Sequence, residues 1–194
     1  MKYKLKSRFL SSYVQELNSL NKKTLSIYKK KIIEIYKLFI ETNKKNKKII
    51  LLGNGGSASI CSHVAVDLSK NAKVRAINFN ESNLITCLSN DYGYAKWMEK
   101  ALEIYHDSYD TVVILSCSGN SKNLVNAAKY ALKKKLNLVT ITSQTKNNKL
   151  KLINKKGLNI WINTKSYNQA EIMFNSILLM IVDLIIGKKI YPPN

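Results

Sequence analysis

Ser116-Cys117-Ser118-Gly119-Asn120-Ser121 packs three hydroxyls into six residues, between the apolar run Thr111-Val112-Val113-Ile114-Leu115 and the helical pattern Leu124, Ala128, Leu132. A turn of this kind feeding a helix gathers hydroxyls and unpaired N–H groups around one point, at the positive end of the helix dipole. That arrangement suits an anion. The same design occurs upstream, where Ile49-Ile50-Leu51-Leu52 runs into Gly53-Asn54-Gly55-Gly56-Ser57-Ala58-Ser59. Glycines there let the backbone turn sharply and come close to a ligand. Two such units in one small chain point to a polyhydroxylated, phosphorylated small molecule. Neither loop is a Walker A motif, because no Gly-Lys-Ser/Thr follows. Neither has the three-glycine dinucleotide fingerprint, and no acidic residue ends the next predicted strand, so a nucleotide is disfavoured.

The elements that must position these loops alternate along the chain. Residues 1–45 read as two helices, with Leu25, Tyr28, Ile32, Ile35, Tyr36 and Phe39 apolar at helical spacing and lysines on the other face. Strand 47–52 then leads to helix 57–70, and strand 73–77 to short helices near 81–89 and 94–105. Strand 111–116 leads to helix 121–135, strand 136–142 to a short helix near 147–154, and strand 158–162 to a long helix over 167–187, closed by Gly187. Such alternation predicts an α/β fold: a three-layer sandwich around a five-stranded parallel sheet, doubly wound, with an N-terminal helical pair and ligands at the carboxyl ends of the strands. One domain is expected over residues 1–194, comprising N-terminal helices 1–45, core 46–187 and tail 188–194.

Composition narrows the function classes. The 194 residues, 45% hydrophobic, suffice for one substantial core. The longest apolar run, Ile177 to Val182, is interrupted by Asp183, which argues against a membrane span. The basic N-terminus has no apolar segment behind it, which argues against a secretory signal. Cys61, Cys87 and Cys117 are odd in number and lack CxxC spacing, so free thiols in a reducing cytoplasm are expected. The formal charge of +20 comes almost wholly from lysine, with arginine only at Arg8 and Arg75. The side chain best suited to reading bases and phosphates is therefore scarce, and a solvated cationic surface is the expectation rather than a nucleic-acid patch.

Three motifs in order, Gly53-Asn54-Gly55-Gly56-Ser57 with His63 six residues on, Asn90-Asp91-Tyr92-Gly93-Tyr94, and Ser116 to Ser121, resemble the sugar isomerase (SIS) domain, and within it the phosphoheptose isomerases. The resemblance covers about residues 20–187. It implies a homotetramer with sites at subunit interfaces, acting on sedoheptulose 7-phosphate toward the heptose of lipopolysaccharide or capsule. It implies that Ser116, Ser118 and Ser121 hold the phosphate, joined by backbone N–H groups at Cys117, Gly119 and Asn120. Asn54, Gly55, Gly56 and Ser57 would line the sugar, and Asp91 would bond its hydroxyls. It implies Asp67 as base, where the family has Glu, and His63 as acid or electrostatic partner; spacing of four puts both on one helix face. Zinc is a possible cofactor, but only His63 and Asp67 of the family's ligand set are present. Ala170 and Leu178 stand where the family has Gln and His. Gln169 and Glu171 are possible site residues: Gln169 as a stand-in with a one-residue shift, and Glu171, near the helix start, read first as complementing the dipole. His106 is expected at the surface.

Two functions follow from this pattern. One is an isomerase passing through an enediol. The other is a non-catalytic SIS protein that binds a sugar phosphate as a regulator or assembly partner. A second proton-handling residue would separate them, and none is evident in the chain.

Overall fold

The structure, a computed structural model, describes residues 2–191. It opens with α1 (Lys2–Lys44) and continues through β1 (Ile49–Leu52), α2 (Gly56–Lys70), β2 (Ala76–Asn78), α3 (Ser82–Tyr92) and α4 (Trp97–Tyr105). The second half comprises β3 (Thr111–Ser116), α5 (Lys122–Lys133), β4 (Asn137–Thr142), α6 (Lys149–Ile153), β5 (Leu158–Trp161) and α7 (Tyr167–Ile186). The five strands form one parallel sheet in the order β2-β1-β3-β4-β5. The expected α/β/α sandwich is thus the observed fold.

Alternation along each strand feeds two separate cores, which is why the strands read as unbroken apolar runs. Ile49, Leu51, Val113 and Leu115 pack beneath α1, α2 and α7 with Phe39, Leu68, Phe174 and Ile177. Ile50, Leu52, Val112 and Ile114 face the other way, onto Trp97, Leu102, Leu124 and Ala128 of α4 and α5. Beneath the sheet, Lys48 is pinned by Asp110 at 2.7 Å and by Asp107 at 2.8 Å, with the Asp110 side chain fully buried.

Two expectations are corrected. The N-terminal helical pair is a single helix of 43 residues, about 65 Å at 1.5 Å per residue. No Gly or Pro precedes Gly53, so nothing in the sequence breaks it. Its second half packs through Ile32, Ile35 and Phe39, whereas Leu5, Phe9, Leu10 and Val14 are exposed. Asp183 likewise interrupts an apolar run without ending its helix. The 20-residue α7 is long and apolar enough to cross a membrane, yet Met173, Phe174, Ile177, Leu178 and Ile181 are buried in the core.

Strand order decides where a ligand can sit. From β1 the chain moves one way to β2, then returns across β1 to place β3 on its other side. The loops leaving β1 and β3 diverge there and open a crevice at the carboxyl edge. Those are the two hydroxyl-rich loops.

Candidate active site

Asn54 and Asn123 join the two loops by reciprocal amide hydrogen bonds of 3.1 and 2.9 Å, and the Tyr94 hydroxyl donates to Asn54 Oδ1 at 3.2 Å. Gly55, at φ +54°, turns the chain into α2 and leaves that helix without a side-chain cap.

In the second loop the backbone amides have been spent on the serines. Gly119 N–H donates to Ser116 Oγ at 3.1 Å and Asn120 N–H to Ser118 Oγ at 3.2 Å. The expectation that these two N–H groups aim at the anion is therefore corrected: they fix the hydroxyls as acceptors, leaving each O–H to donate elsewhere. Ser121 sits at the N-cap of α5 and makes no side-chain capping bond, so its hydroxyl is also unspent. The start of α6 braces the loop from outside. Lys149 N–H donates to Asn120 Oδ1 and Leu150 N–H to the Gly119 carbonyl, both at 3.0 Å. Gly119 adopts φ +64° hard against the Asn148 side chain, where a Cβ would overlap it.

Between the loops lies a cavity of about 320 Å³, within the size range of small-molecule sites. Asn54, Gly55, Gly56, Ser57, Ser116, Cys117, Ser118 and Ser121 line it, as expected. So do Leu115, Leu124, Tyr167 and Glu171. Burial and then the Glu171 charge push the Cys117 thiol up to about 11, so it remains a neutral thiol.

Glu171 is the principal correction. It was a possible site residue read first as complementing the helix dipole, yet α7 carries no acidic residue in its first turn, and Glu171 reaches from the next one to lie on Gly56. A Cβ at Gly56 would overlap the carboxylate, so only glycine leaves room for it. Tyr167, one turn earlier on the same face, was not anticipated. Nor was Asn123, whose role as partner of Asn54 is invisible without the strand order.

Other expected residues lie outside the cavity. His63 and Asp67 are seven and eleven residues beyond Gly56, about 10 and 16 Å along α2. His63 is largely exposed; its Nε2 lies 3.6 Å from Asp67 Oδ2, and Asp67 Oδ1 accepts from Asn71 at 3.0 Å. Asp91 is exposed and held by Asn90 and Cys87. Gln169 turns away to bond Thr164 at 2.9 Å and Glu16 at 3.4 Å. His106 is half-buried rather than superficial, with Nδ1 2.7 Å from the Leu102 carbonyl and its ring edge-on to Tyr130.

The zinc implied by the motif resemblance does not fit this chain. Ala170 and Leu178 offer no donor atoms and are 0% and 1% exposed in the core. Among the described residues, no three His, Cys, Asp or Glu side chains gather to hold a metal.

Comparisons with known proteins agree with the fold. The family model for the SIS domain matches residues 12–143. A phosphoheptose isomerase of Buchnera aphidicola is 31% identical over 182 residues, covering 87% of this chain and 93% of that protein. One from Aliarcobacter butzleri is 35% identical over 101 residues, 49% of this chain, and there the chain spans about half (53%) of the relative's length. The structure of a phosphoheptose isomerase from Francisella tularensis superposes with a TM-score of 0.86 at 19% identity, over 93% of this chain and 98% of that one. The chain belongs to the SIS domain family and, within it, to the phosphoheptose isomerases.

Proposed function

We propose that the protein isomerises a ketose phosphate to an aldose phosphate, with sedoheptulose 7-phosphate as substrate and heptose for lipopolysaccharide or capsule as the destination. The observation that carries this reading is the pair of amide-fixed serines, Ser116 and Ser118, at the uncapped start of α5. Their unspent hydroxyls, with Ser121, supply donors to a dianion where the helix dipole favours negative charge. Asn54, tied to Asn123, and Ser57 take the sugar hydroxyls.

The same reading includes one domain assembled as a homotetramer. The exposed apolar residues of α1, Leu5, Phe9, Leu10 and Val14, support an oligomer, since such a stripe on a helix extending past the core is a surface for association. Three free thiols, Cys61, Cys87 and Cys117, support a reducing compartment, the cytoplasm. His63 and Asp67, outside the cavity of one chain, enter the chemistry only if a neighbouring subunit covers α2.

The test is a coupled assay for sedoheptulose 7-phosphate isomerisation beside thermal-shift binding of the same compound, with wild type and Ser118→Ala. Turnover in the wild type, with weaker binding in the variant, is the expected result. Stabilisation without turnover would favour the sugar-phosphate-binding regulator. Neither turnover nor stabilisation would remove this substrate.

A further inference from the structure

We infer that Glu171 is the carboxylate that moves the carbon-bound proton in this isomerase, a role that rests on the isomerase reading above. Four observations converge on it. Glu171 is the one carboxylate among the residues lining the cavity, and no histidine lines it. Gly56, at the start of α2, is the glycine that lets the carboxylate seat against the backbone. Among the described residues, no ion-pair or side-chain hydrogen-bond partner holds the Glu171 carboxylate. Asp67, by contrast, is engaged by Asn71 and sits beside His63, away from the serines.

The cavity has two chemically distinct sides. Ser116, Ser118 and Ser121 crowd the α5 side, where the phosphate goes. Glu171 and Tyr167 come from α7 and line the same cavity, with the Glu171 carboxylate lying on Gly56 at the start of α2. Seated on the α2 backbone, the carboxylate is placed for the carbonyl end of the sugar. The step balances without a metal or redox partner. Glu171 takes a proton from C1 of the ketose, and the C–H electron pair becomes the C1=C2 bond of an enediol as the carbonyl oxygen gains a proton from water. Glu171 then returns its proton to C2 while the C1 hydroxyl gives one to water, so C1 ends as the aldehyde and C2 as the carbinol. C1 is oxidised and C2 reduced, with no net change. The positive end of the α2 dipole, at Gly56, favours the oxygen on which negative charge develops.

The experiment follows sedoheptulose 7-phosphate in heavy water with wild type, Glu171→Gln, Glu171→Asp and Asp67→Asn, reading turnover, deuterium uptake into the sugar and thermal stabilisation by the same ligand. Glu171→Gln is expected to lose turnover and deuterium uptake about 100- to 10,000-fold while keeping the thermal shift, the loss typical of a removed general base. Glu171→Asp should recover part of the exchange, and the acid limb of its pH–rate profile should persist. Turnover of Glu171→Gln within tenfold of wild type would overturn the assignment. So would loss of the thermal shift together with turnover, which would mark Glu171 as a binding group, or an inactive Asp67→Asn beside an active Glu171→Gln, which would move the role to Asp67. A wild type that neither turns over nor exchanges would overturn the isomerase reading itself, and this assignment with it.

Discussion

Asn54 and Asn123 hold each other amide to amide, each donating and each accepting, across 69 positions of sequence. The pair ties the loop after β1 to the first turn of α5, and so couples the two loops that line the cavity. Asn123 is nearly buried, and its Oδ1 also accepts the Leu124 N–H at 3.0 Å. Replacing it with Leu leaves Asn54 Nδ2 and the Leu124 N–H without a partner, and Asn54 held by Tyr94 alone. The expected cost is about 1–3 kcal/mol of stability, measured by urea unfolding, with a higher KM as Asn54 loses its fixed orientation.

Gly56→Ala tests the close approach of Glu171 to α2. A methyl group there occupies the space of the carboxylate, so Glu171 must swing out of the cavity. The expected outcome is a folded protein with kcat reduced at least tenfold, since a displaced group loses its reactive geometry. Steady-state kinetics beside circular dichroism check it.

Gly119→Ala disrupts the serine loop by a different route. A side chain at φ +64° is strained, and here it also meets Asn148. The expected loss is about 1–3 kcal/mol, together with weaker stabilisation by inorganic phosphate in a thermal-shift titration. The phosphate effect separates this variant from a merely destabilised one.

Lys48 with Asp107 and Asp110 sets a pH dependence at both extremes. Burial opposes the Lys48 charge, but hydrogen bonds and charges from the two aspartates outweigh it and raise its pKa above that of a free lysine. The stability this contributes is fully present below the unfolded lysine value, about 10.4, and is lost as pH rises through the higher folded value. Asp107 is held below its ordinary value by the Lys48 hydrogen bond and charge. Its contribution is present above about pH 3.9 and lost as pH falls through the folded value. Asp110→Asn, which removes the fully buried partner, should cost about 3–5 kcal/mol in denaturant unfolding at neutral pH and flatten the alkaline limb.

Thiol labelling reports on the cavity without a substrate. Cys87 is exposed, whereas Cys61 and Cys117 are buried, so iodoacetamide at pH 8 should modify Cys87 first. With the Cys117 thiol up at about 11, only roughly one molecule in a thousand carries its thiolate at that pH. Mass spectrometry should find Cys117 alkylation rising only toward pH 11. Glu171→Gln should move that rise to lower pH, because it removes the second cause of the shift.

The sequence by itself determined the sandwich, the order of its elements and the two hydroxyl-rich loops that line the cavity. These are local or periodic properties: strand runs that feed two cores, glycines at turns, hydroxyls at the start of α5. Element boundaries fell within a few residues of those predicted, and the break expected in α1 came from reading a turn where no Gly or Pro supplies one. What only the tertiary structure decided was which polar residues meet. His63, Asp67 and Glu171 each sit on a helix at a spacing that looks serviceable, and sequence spacing says nothing about which helix end faces the crevice. The reversal of strand order at β1 brings the starts of α2 and α5 together, and the packing of α7 on α2 lays Glu171 over Gly56 while leaving His63 and Asp67 about two and three turns further along α2. Helix packing, a contact between residues more than a hundred positions apart, thus selected the carboxylate.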